Sequence, residues 1–263
     1  MLDDPEKGSE ARKLWHDAQQ LLDKIIRLRL LRLQMKAQIL PAWSDDEDNI
    51  VIKADDGKEY RLPMRRSLND EEETKCLADY LTPSLNPSPR GGEELRSSAE
   101  STAENYNSAN SNYNSTSGNP DSANSNITPP LGEEPKEGVG VDYICPFVVS
   151  AGVGLAELQE QFRADGDEYH AIMAKLLADR LTEAMAEKLS KDLKDTLHWG
   201  TSNIRMAFGY GACPEHRLKE QVFQILGVGE SMGLSLTDTY MINPGESICG
   251  LIFANTPEKY FNV

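Results

Sequence analysis

The sequence predicts an α+β fold, because helical and strand patterns follow one another without regular alternation. An amphipathic helical pattern opens the chain, and a second long one lies in its second half. Short runs with strand character lie between and after them, separated by turn residues. The resulting order is helix, hairpin, insertion, strand, helices and strands, which differs from the repeated βαβ units of α/β proteins.

The first element is predicted to be a long helix from about Glu10 to Leu40, ended by Pro41. Its apolar residues recur at spacings of four and three and would form one face: Leu14, Ala18, Leu21, Ile25 and Leu28. Basic residues cover much of the remainder: Lys24, Arg27, Arg29, Arg32 and Lys36. We expect this helix to pack against its own domain, and a membrane-surface or partner-docking helix is the alternative.

A β-hairpin is predicted next, over NIVIKADDGKEYRLP. Ile50 and Ile52 recur at the spacing of one strand face, and Asp56-Gly57 supplies the turn. The stretch ETKCLADYL that follows has the character of a short helix or a strand. Residues 1–82 therefore form the first part of the predicted domain.

Residues 83–140 are predicted to be a disordered insertion into this domain. They are rich in Asn, Ser, Gly, Pro and Glu and nearly devoid of large aliphatic side chains. Such a stretch cannot bury enough apolar surface to offset an ordering entropy of about 1–2 kcal/mol per residue. Residues 141–263 then complete the same domain.

This second part begins with a strand, VDYICPFVVSAGVG, a short helix, and a long helix from about Asp167 to Leu197. Asp165 and Asp167 suit the positive N-terminal end of the long helix. Its predicted apolar face is broad and consists of Tyr169, Ile172, Met173, Leu176, Leu177, Leu181, Ala184, Met185 and Leu189.

The last third is predicted to contain one more helix and a hairpin. Pro214 suits the first position of a helix over PEHRLKEQVFQIL. The segments on either side of Asn243-Pro244-Gly245 are predicted to pair through a type II turn, since Pro followed by Gly is typical of that turn.

The composition argues against several classes of function. A formal net charge of -16 makes nucleic acid a poor partner, because phosphate binding requires clustered Lys and Arg. No apolar run approaches the roughly 20 residues of a membrane span, and the first residues lack the pattern of a secretory signal. The four cysteines form no CxxC pair, so neither a metal site nor a disulfide framework is predicted. These features predict a cytoplasmic protein.

The most unusual segment runs from Arg205 to His216, RMAFGYGACPEH. Its glycines permit close backbone approach to a ligand, its Arg offers a planar fork for a carboxylate, and its Tyr offers a flat face. Such a loop could hold an amino-acid-like ligand that carries an aromatic base, and a structural turn before a helix is the alternative. The sequence contains none of the common hydrolase, phosphate-loop, zinc-protease or dinucleotide motifs, so we predict no catalytic residue and no metal ligand. Surface or packing roles are expected for His16, His170, His198 and His216.

The segment RMAFGYGACPEHRLKEQVFQIL resembles the signature of the activation domain of cobalamin-dependent methionine synthases, where it lines the S-adenosylmethionine site. Further blocks resemble that family in the same order: KLWHDAQQLLDKII, CLADYL, FVVSAGVGLAELQEQFRADGDEYHAIMAKLLADRLTEAMAE and NPGESICGLIFANTPEKYFNV. The resemblance implies a twisted antiparallel sheet with flanking long helices. It also implies an extended, shallow site for S-adenosylmethionine.

The resemblance also implies the roles of particular residues. Arg205 would hold the methionyl carboxylate, which suits the bidentate geometry of a guanidinium. Ala207, Gly209 and Tyr210 would line the adenosine through backbone and ring contacts.

Three more residues would complete this site. Glu183 would face the cationic side of the ligand, and Tyr260 and Phe261 match an aromatic pair that contacts it. The alternatives are a solvated carboxylate at a helix edge and packing of the aromatic pair within a hairpin.

The function implied by the resemblance is reactivation of the cobalamin of methionine synthase, in methionine biosynthesis. A flavodoxin-like donor would supply one electron, and methyl transfer from S-adenosylmethionine would trap the reduced cobalt. Cobalamin would be bound by a partner module, so we expect this chain to be a module and not a complete enzyme alone. The alternatives are a non-catalytic docking subunit for a corrinoid methyltransferase and a reactivation module for another corrinoid protein.

The sequence departs from the family pattern at two places that bear on the site. The family carries an N-terminal stretch with an acidic ligand contact ahead of the first helix, and this sequence starts after it. The connection between Trp199-Gly200 and Arg205 is also shorter than in the family. We therefore expect part of the site to be absent or supplied in trans, as in a separated or truncated module.

Overall fold

The computed structural model describes residues 8–67, 75–81, 142–196 and 203–254. The predicted insertion at 83–140 and the predicted ligand contacts Tyr260 and Phe261 lie outside the described residues. The helices are α1 (Gly8–Leu28), α2 (Leu155–Ala164), α3 (Glu168–Lys191) and α4 (Leu218–Ile225), with 3₁₀ turns at Leu77–Tyr80 and Glu230–Met232 and a π-helical turn at Asp192–Thr196. The strands are β1 (Arg32–Ala37), β2 (Leu40–Ser44), β3 (Asn49–Lys53), β4 (Glu59–Pro63), β5 (Asp142–Val153), β6 (Asn203–Ala207), β7 (Ser235–Leu236), β8 (Ile242–Asn243) and β9 (Ser247–Ala254).

Seven of these strands form one curled antiparallel sheet in the order β4-β3-β2-β5-β9-β6, and β1 also pairs with β5. The long strand β5 accepts β2 and β1 in succession along one edge, through the pairs Leu40 with Ile144 and Ala37 with Phe147. Its other edge pairs with β9. The predicted α+β class, with an antiparallel sheet and flanking helices, is confirmed.

Both faces of the central strand β5 are buried, which explains its nearly continuous apolar sequence. Ile144 and Val148 pack into a core that includes Leu218 and Val222 of α4. Alternate residues of β5, among them Phe147, pack on the other face against α3. Burial of such side chains stabilises the fold by about 1.5–3 kcal/mol each.

The first helix ends earlier than predicted. It stops at Leu28, where Arg29 adopts a positive φ of 52° and the backbone N–H of Leu30 bonds to the carbonyl of Ile25. The predicted helix to Leu40 was wrong because the following residues pair as β1 and β2 with β5. A long central strand satisfies their backbone groups, and this tertiary pairing outweighs local helix preference.

The buried face of α1 is also shorter than predicted. Leu21 and Ile25 are buried, and Ala18 packs partly buried against the same cluster. Leu14 and Leu28, which the spacing placed on the same face, are each 53% exposed.

The long helix α3 buries small residues instead of the predicted large ones. Met173 and Leu189 are buried as expected, but Tyr169, Ile172 and Leu176 are each about half exposed. The remaining buried positions are Ala171, Ala174, Ala178, Thr182 and Ala186. Small side chains let the helix approach β5 closely. The side of α3 that faces the core is therefore the one with alanines, and part of the predicted face with large apolar side chains is exposed.

The shorter elements before the predicted insertion agree with prediction. β3 and β4 form the predicted hairpin, with Asn49 opposite Pro63 and a positive φ at Gly57 in the turn. The stretch ETKCLADYL contains a short 3₁₀ helix, one of the two forms considered.

Two predictions for the last third were wrong. The helix after Pro214 starts at Leu218, because the preceding residues form i to i+3 turns, such as that from Lys219 N–H to the carbonyl of His216. Strand β8 pairs with β7, and β9 pairs instead with β5 and β6. Gly245 has no positive φ, so the expected type II turn is absent there.

Across the described ranges, we find no helix that combines the length and apolar character needed to cross a membrane.

Candidate functional site

The strand β6 positions the first residues of the candidate site. It pairs with β9 at one end of the strand order, so it is an edge strand of the described sheet. Ile204 and Met206 point into the core, and Arg205 and Ala207 lie half-buried on the opposite face. Gly250 of β9 lies opposite Ala207, and a side chain there would collide with the carbonyl oxygen of Met206. A glycine at this position is therefore required for the close approach of β6.

The side chain of Arg205 lies beside two carboxylates of α3. Its Nη2 is 3.6 Å from Oε2 of Glu183 and 4.0 Å from Oε2 of Glu187. Both distances exceed that of a good hydrogen bond, and the two carboxylates are 53% and 77% exposed. The guanidinium is thus held by loose, solvated ion pairs, and it retains N–H groups for a planar carboxylate of a ligand.

After β6 the chain makes a tight turn that carries an exposed aromatic ring. The backbone N–H of Gly209 bonds to the carbonyl of Cys213 at 2.7 Å, and Cys213 N–H bonds back to Tyr210 at 2.9 Å. Gly209 has a φ of 100°, and a side chain there would collide with the imidazole of His216. Tyr210 is 75% exposed, so its ring stands at the rim of the site.

Strand β6, this turn, α4 and the loop before β9 surround a cleft of about 390 Å³, which we call the β6 cleft. Its walls are largely apolar and include Met206, Phe208, Ile242 and Ile248. Its charged or polar side chains include Glu183, Arg205, His216 and Lys219. This size and this mixture of surfaces are typical of a site for a small molecule.

The β6 cleft brings together most of the residues that the sequence singled out. Glu183, Arg205, Ala207 and Tyr210 all line it, and Gly209 forms the turn beside it. Their proximity in space is established, and their role as ligand contacts stays a prediction.

Sequence reasoning missed two polar residues of this cleft. Lys219 is only 5% exposed, and its Nζ lies 2.5 Å from Nδ1 of His216 and 3.3 Å from the carbonyl oxygen of Tyr240. Burial lowers the pKa of Lys219, and burial together with the Lys219 charge lowers the pKa of His216. A His followed by a Lys three residues later places both on one side of a helical turn, and this spacing could have identified the pair.

The cysteines around the cleft do not provide a nucleophile at neutral pH. Cys213 and Cys249 are buried and unpaired, as are the other two cysteines. Burial raises the pKa of Cys213 to about 12 and that of Cys249 further still. Because the thiolate is the reactive form, both thiols are inert packing groups here. Among the residues that the structure describes, no group of His, Cys, Asp and Glu side chains is arranged to hold a metal ion.

Two comparisons with known proteins agree on one family. The family model described as "Vitamin B12 dependent methionine synthase, activation domain" matches residues 1–117 and 133–263. A crystal structure of the MetH reactivation domain bound to AdoHcy superimposes with a TM-score of 0.72 at 26% sequence identity. That match covers 99% of this chain and 70% of the other chain.

Proposed function

Since this chain belongs to the activation-domain family of vitamin B12-dependent methionine synthases, we propose that it binds S-adenosylmethionine in the β6 cleft. The observation that carries this proposal is the position of Arg205, a half-buried guanidinium with only long contacts to two exposed carboxylates, at the side of an apolar-walled cleft. AdoHcy, the ligand of the similar reactivation domain, differs from S-adenosylmethionine by one methyl group and its positive charge.

The chemistry of the lining fits the parts of this ligand. Arg205 would exchange its long contacts to Glu183 and Glu187 for two short hydrogen bonds to the methionyl carboxylate. Glu183, released from the guanidinium, would face the ammonium and sulfonium charges. The exposed ring of Tyr210 and the backbone around Ala207 and Gly209 would lie along the adenosine.

The role we propose for the bound molecule is methyl donor in the reactivation of the cobalamin of methionine synthase. Cobalamin would be held by a partner module and would supply the redox and methyl-accepting chemistry, with one electron from a flavodoxin-like donor. The part of this chain is to hold the methyl donor in a fixed orientation, so it would catalyse no complete reaction alone. Buried, unpaired cysteines are consistent with a reducing, cytoplasmic location.

Titration calorimetry with S-adenosylmethionine tests the proposal. We expect the wild-type chain to bind and Arg205→Ala to bind at least tenfold more weakly, since a charge-assisted pair is lost. Arg61→Ala is the matched control, because Arg61 is an exposed arginine on β4, at the opposite end of the strand order. It should bind like the wild type.

The same titration separates the alternatives. If the wild type produces no heat, autonomous binding is wrong, and a docking subunit for a corrinoid methyltransferase becomes the better account. If the wild type binds but Arg205→Ala binds equally well, the cleft or the orientation of the ligand is wrong.

A further inference from the structure

The half-buried His216, in contact with the buried Lys219, gives the β6 cleft a further hydrogen-bond donor besides Arg205. We propose that Nε2–H of His216 donates a hydrogen bond to a ring nitrogen of the adenine, and that Lys219 positions this donor. This inference rests on the proposed function, since it concerns the nucleoside half of the same ligand.

The position of Lys219 determines which nitrogen of His216 carries the proton. An ammonium group has N–H donors and no acceptor, so Nδ1 of His216, at 2.5 Å from it, must accept. The imidazole is then neutral, with its proton on Nε2. Burial and the nearby ammonium both lower the pKa of His216, which agrees with a neutral ring.

Three segments of the cleft wall hold this arrangement in place. Lys219 lies in the first turn of α4 and also donates to the carbonyl of Tyr240, in the loop before β8. The imidazole packs so closely on Gly209 that no side chain fits between them. The ring therefore has little freedom to turn, and a donor in a fixed orientation discriminates between acceptors better than a mobile one.

The location of His216 favours the adenine as its partner. Arg205 and Gly209 are four residues apart, a separation of at most about 14 Å along an extended chain. A ligand whose carboxylate contacts Arg205 can therefore reach the turn at Gly209 with its nucleoside, since both ends belong to the same cleft. The exposed ring of Tyr210 belongs to the same turn, and an aromatic face beside an N–H donor suits a purine base.

A series of S-adenosylhomocysteine analogues tests the hydrogen bond. The 1-deaza, 3-deaza and 7-deaza analogues each replace one ring nitrogen of the adenine with a C–H group. We expect the wild type to bind one of the three about tenfold more weakly than the parent compound, the effect of one lost hydrogen bond. In His216→Phe, which keeps a ring against Gly209 but lacks the N–H, all four compounds should bind within about twofold of one another.

Two controls separate recognition from support of the fold. His16→Ala removes an exposed histidine on α1 that bonds to Gln20, and it should keep the wild-type discrimination. Thermal unfolding without ligand reports whether His216→Phe is folded, and His216→Gln, which restores an N–H donor, is the second variant if it is not. Equal binding of all analogues by the wild type, or discrimination retained without the His216 N–H, would overturn the role of His216.

The positioning role of Lys219 has its own spectroscopic readout. The ¹⁵N chemical shifts of the His216 ring should show the Nε2–H tautomer in the wild type. They should show a mixture of tautomers in Lys219→Met and recovery in Lys219→Arg, which again presents a donor to Nδ1. An unchanged tautomer in Lys219→Met would overturn this role. Absence of any binding by the wild-type chain would overturn the proposed function together with this inference, whereas the outcomes above overturn the inference alone.

Discussion

Under the proposed function, Glu183 would have two opposite effects on the affinity for the ligand. The carboxylate lies 3.6 Å from the guanidinium of Arg205, where it would compete with the ligand carboxylate, and it would also supply negative charge for a cationic ligand. These two effects can be separated by comparing S-adenosylmethionine, which carries a sulfonium charge, with S-adenosylhomocysteine, which does not. The competition is common to both compounds, whereas the attraction to the sulfonium exists for one.

We therefore expect Glu183→Gln to lower the preference for S-adenosylmethionine over S-adenosylhomocysteine. The expected change in the ratio of dissociation constants is about twofold to fivefold, equivalent to about 0.5–1 kcal/mol for half-exposed charges. Glu187→Gln is the matched control, because Glu187 is 4.0 Å from the same guanidinium but 77% exposed. Calorimetry on both variants measures the ratio, and an equal change in the two would show that Glu183 has no special place beside the sulfonium.

At the scale of single elements, the start of α3 depends on a side-chain cap. Asp167 accepts a hydrogen bond from the backbone N–H of His170 at 3.1 Å, and its other oxygen lies 2.6 Å from Nδ1 of the same residue. The backbone hydrogen bond from His170 holds the pKa of Asp167 below its usual value. The folded state therefore gains stability from this group above the unfolded-state pKa of about 3.9, and loses it as pH falls through the folded pKa.

We expect Asp167→Ala to lower the midpoint of thermal unfolding at pH 7, and to lower it by less at low pH, where the carboxyl is neutral in both the folded and unfolded states. Removal of an N-cap leaves backbone donors of the first turn without a partner, which accounts for the direction. Asp165→Ala changes an exposed carboxylate two residues earlier and should have little effect. Melting curves between pH 2 and pH 7 provide the measurement, and a difference that did not shrink toward the lowest pH would contradict a contribution from the ionised carboxylate.

The packing of α3 differs from the prediction that its large apolar residues face the core. Ala174 is fully buried between α1, α2 and β5, whereas Leu176 is 56% exposed. We expect Ala174→Leu to destabilise the fold by about 1–3 kcal/mol, because added methyl groups have no space in a packed core. Leu176→Ala should change stability by no more than about 0.5 kcal/mol. Urea unfolding of the two variants measures both values, and a larger loss for Leu176→Ala would support the original prediction.

The error at α3 and the error at α1 have the same origin. A helical wheel shows which residues are apolar, and the choice of the buried side depends on how closely a neighbour can approach. In α3 the neighbour is the central strand β5, which alanine side chains allow the helix to approach closely. Beyond α1, the residues that were predicted to continue the helix pair with β5 as β1 and β2. A local sequence pattern shows neither how closely a helix approaches its neighbour nor which strand a segment pairs with.

At the scale of the whole molecule, local patterns were sufficient for the fold class and for the β3–β4 hairpin. The antiparallel sheet and the site around Arg205 were expected only through a family resemblance, because their parts are distant in sequence. Glu183 and Arg205, for example, belong to a helix and a strand that meet only in the folded chain. Lys219 was missed because a lysine inside a helical segment has the pattern of a solvated residue, and its burial depends on the loop at Tyr240.

The sequence predicts that residues 83–140 contribute nothing to the packed domain. The chain before and after them is held beside the same strand. The carbonyl of Leu81 accepts a hydrogen bond from Ser44 of β2 at 3.2 Å, and Asp142 pairs with Ala42 two residues away. The two attachment points are therefore roughly 10–15 Å apart, a gap that six extended residues, about 20 Å long, can span.

We expect a chain in which a six-residue Gly/Ser linker replaces residues 83–140 to bind S-adenosylmethionine as the full chain does, within about twofold. Its free energy of unfolding should be equal or higher by up to about 2 kcal/mol, because a loop roughly one tenth as long costs less entropy to close. Calorimetry and urea unfolding of the two chains measure these quantities. Lower stability or weaker binding in the shortened chain would mean that the segment packs on the domain, since a segment without such contacts has no stabilising interaction to lose.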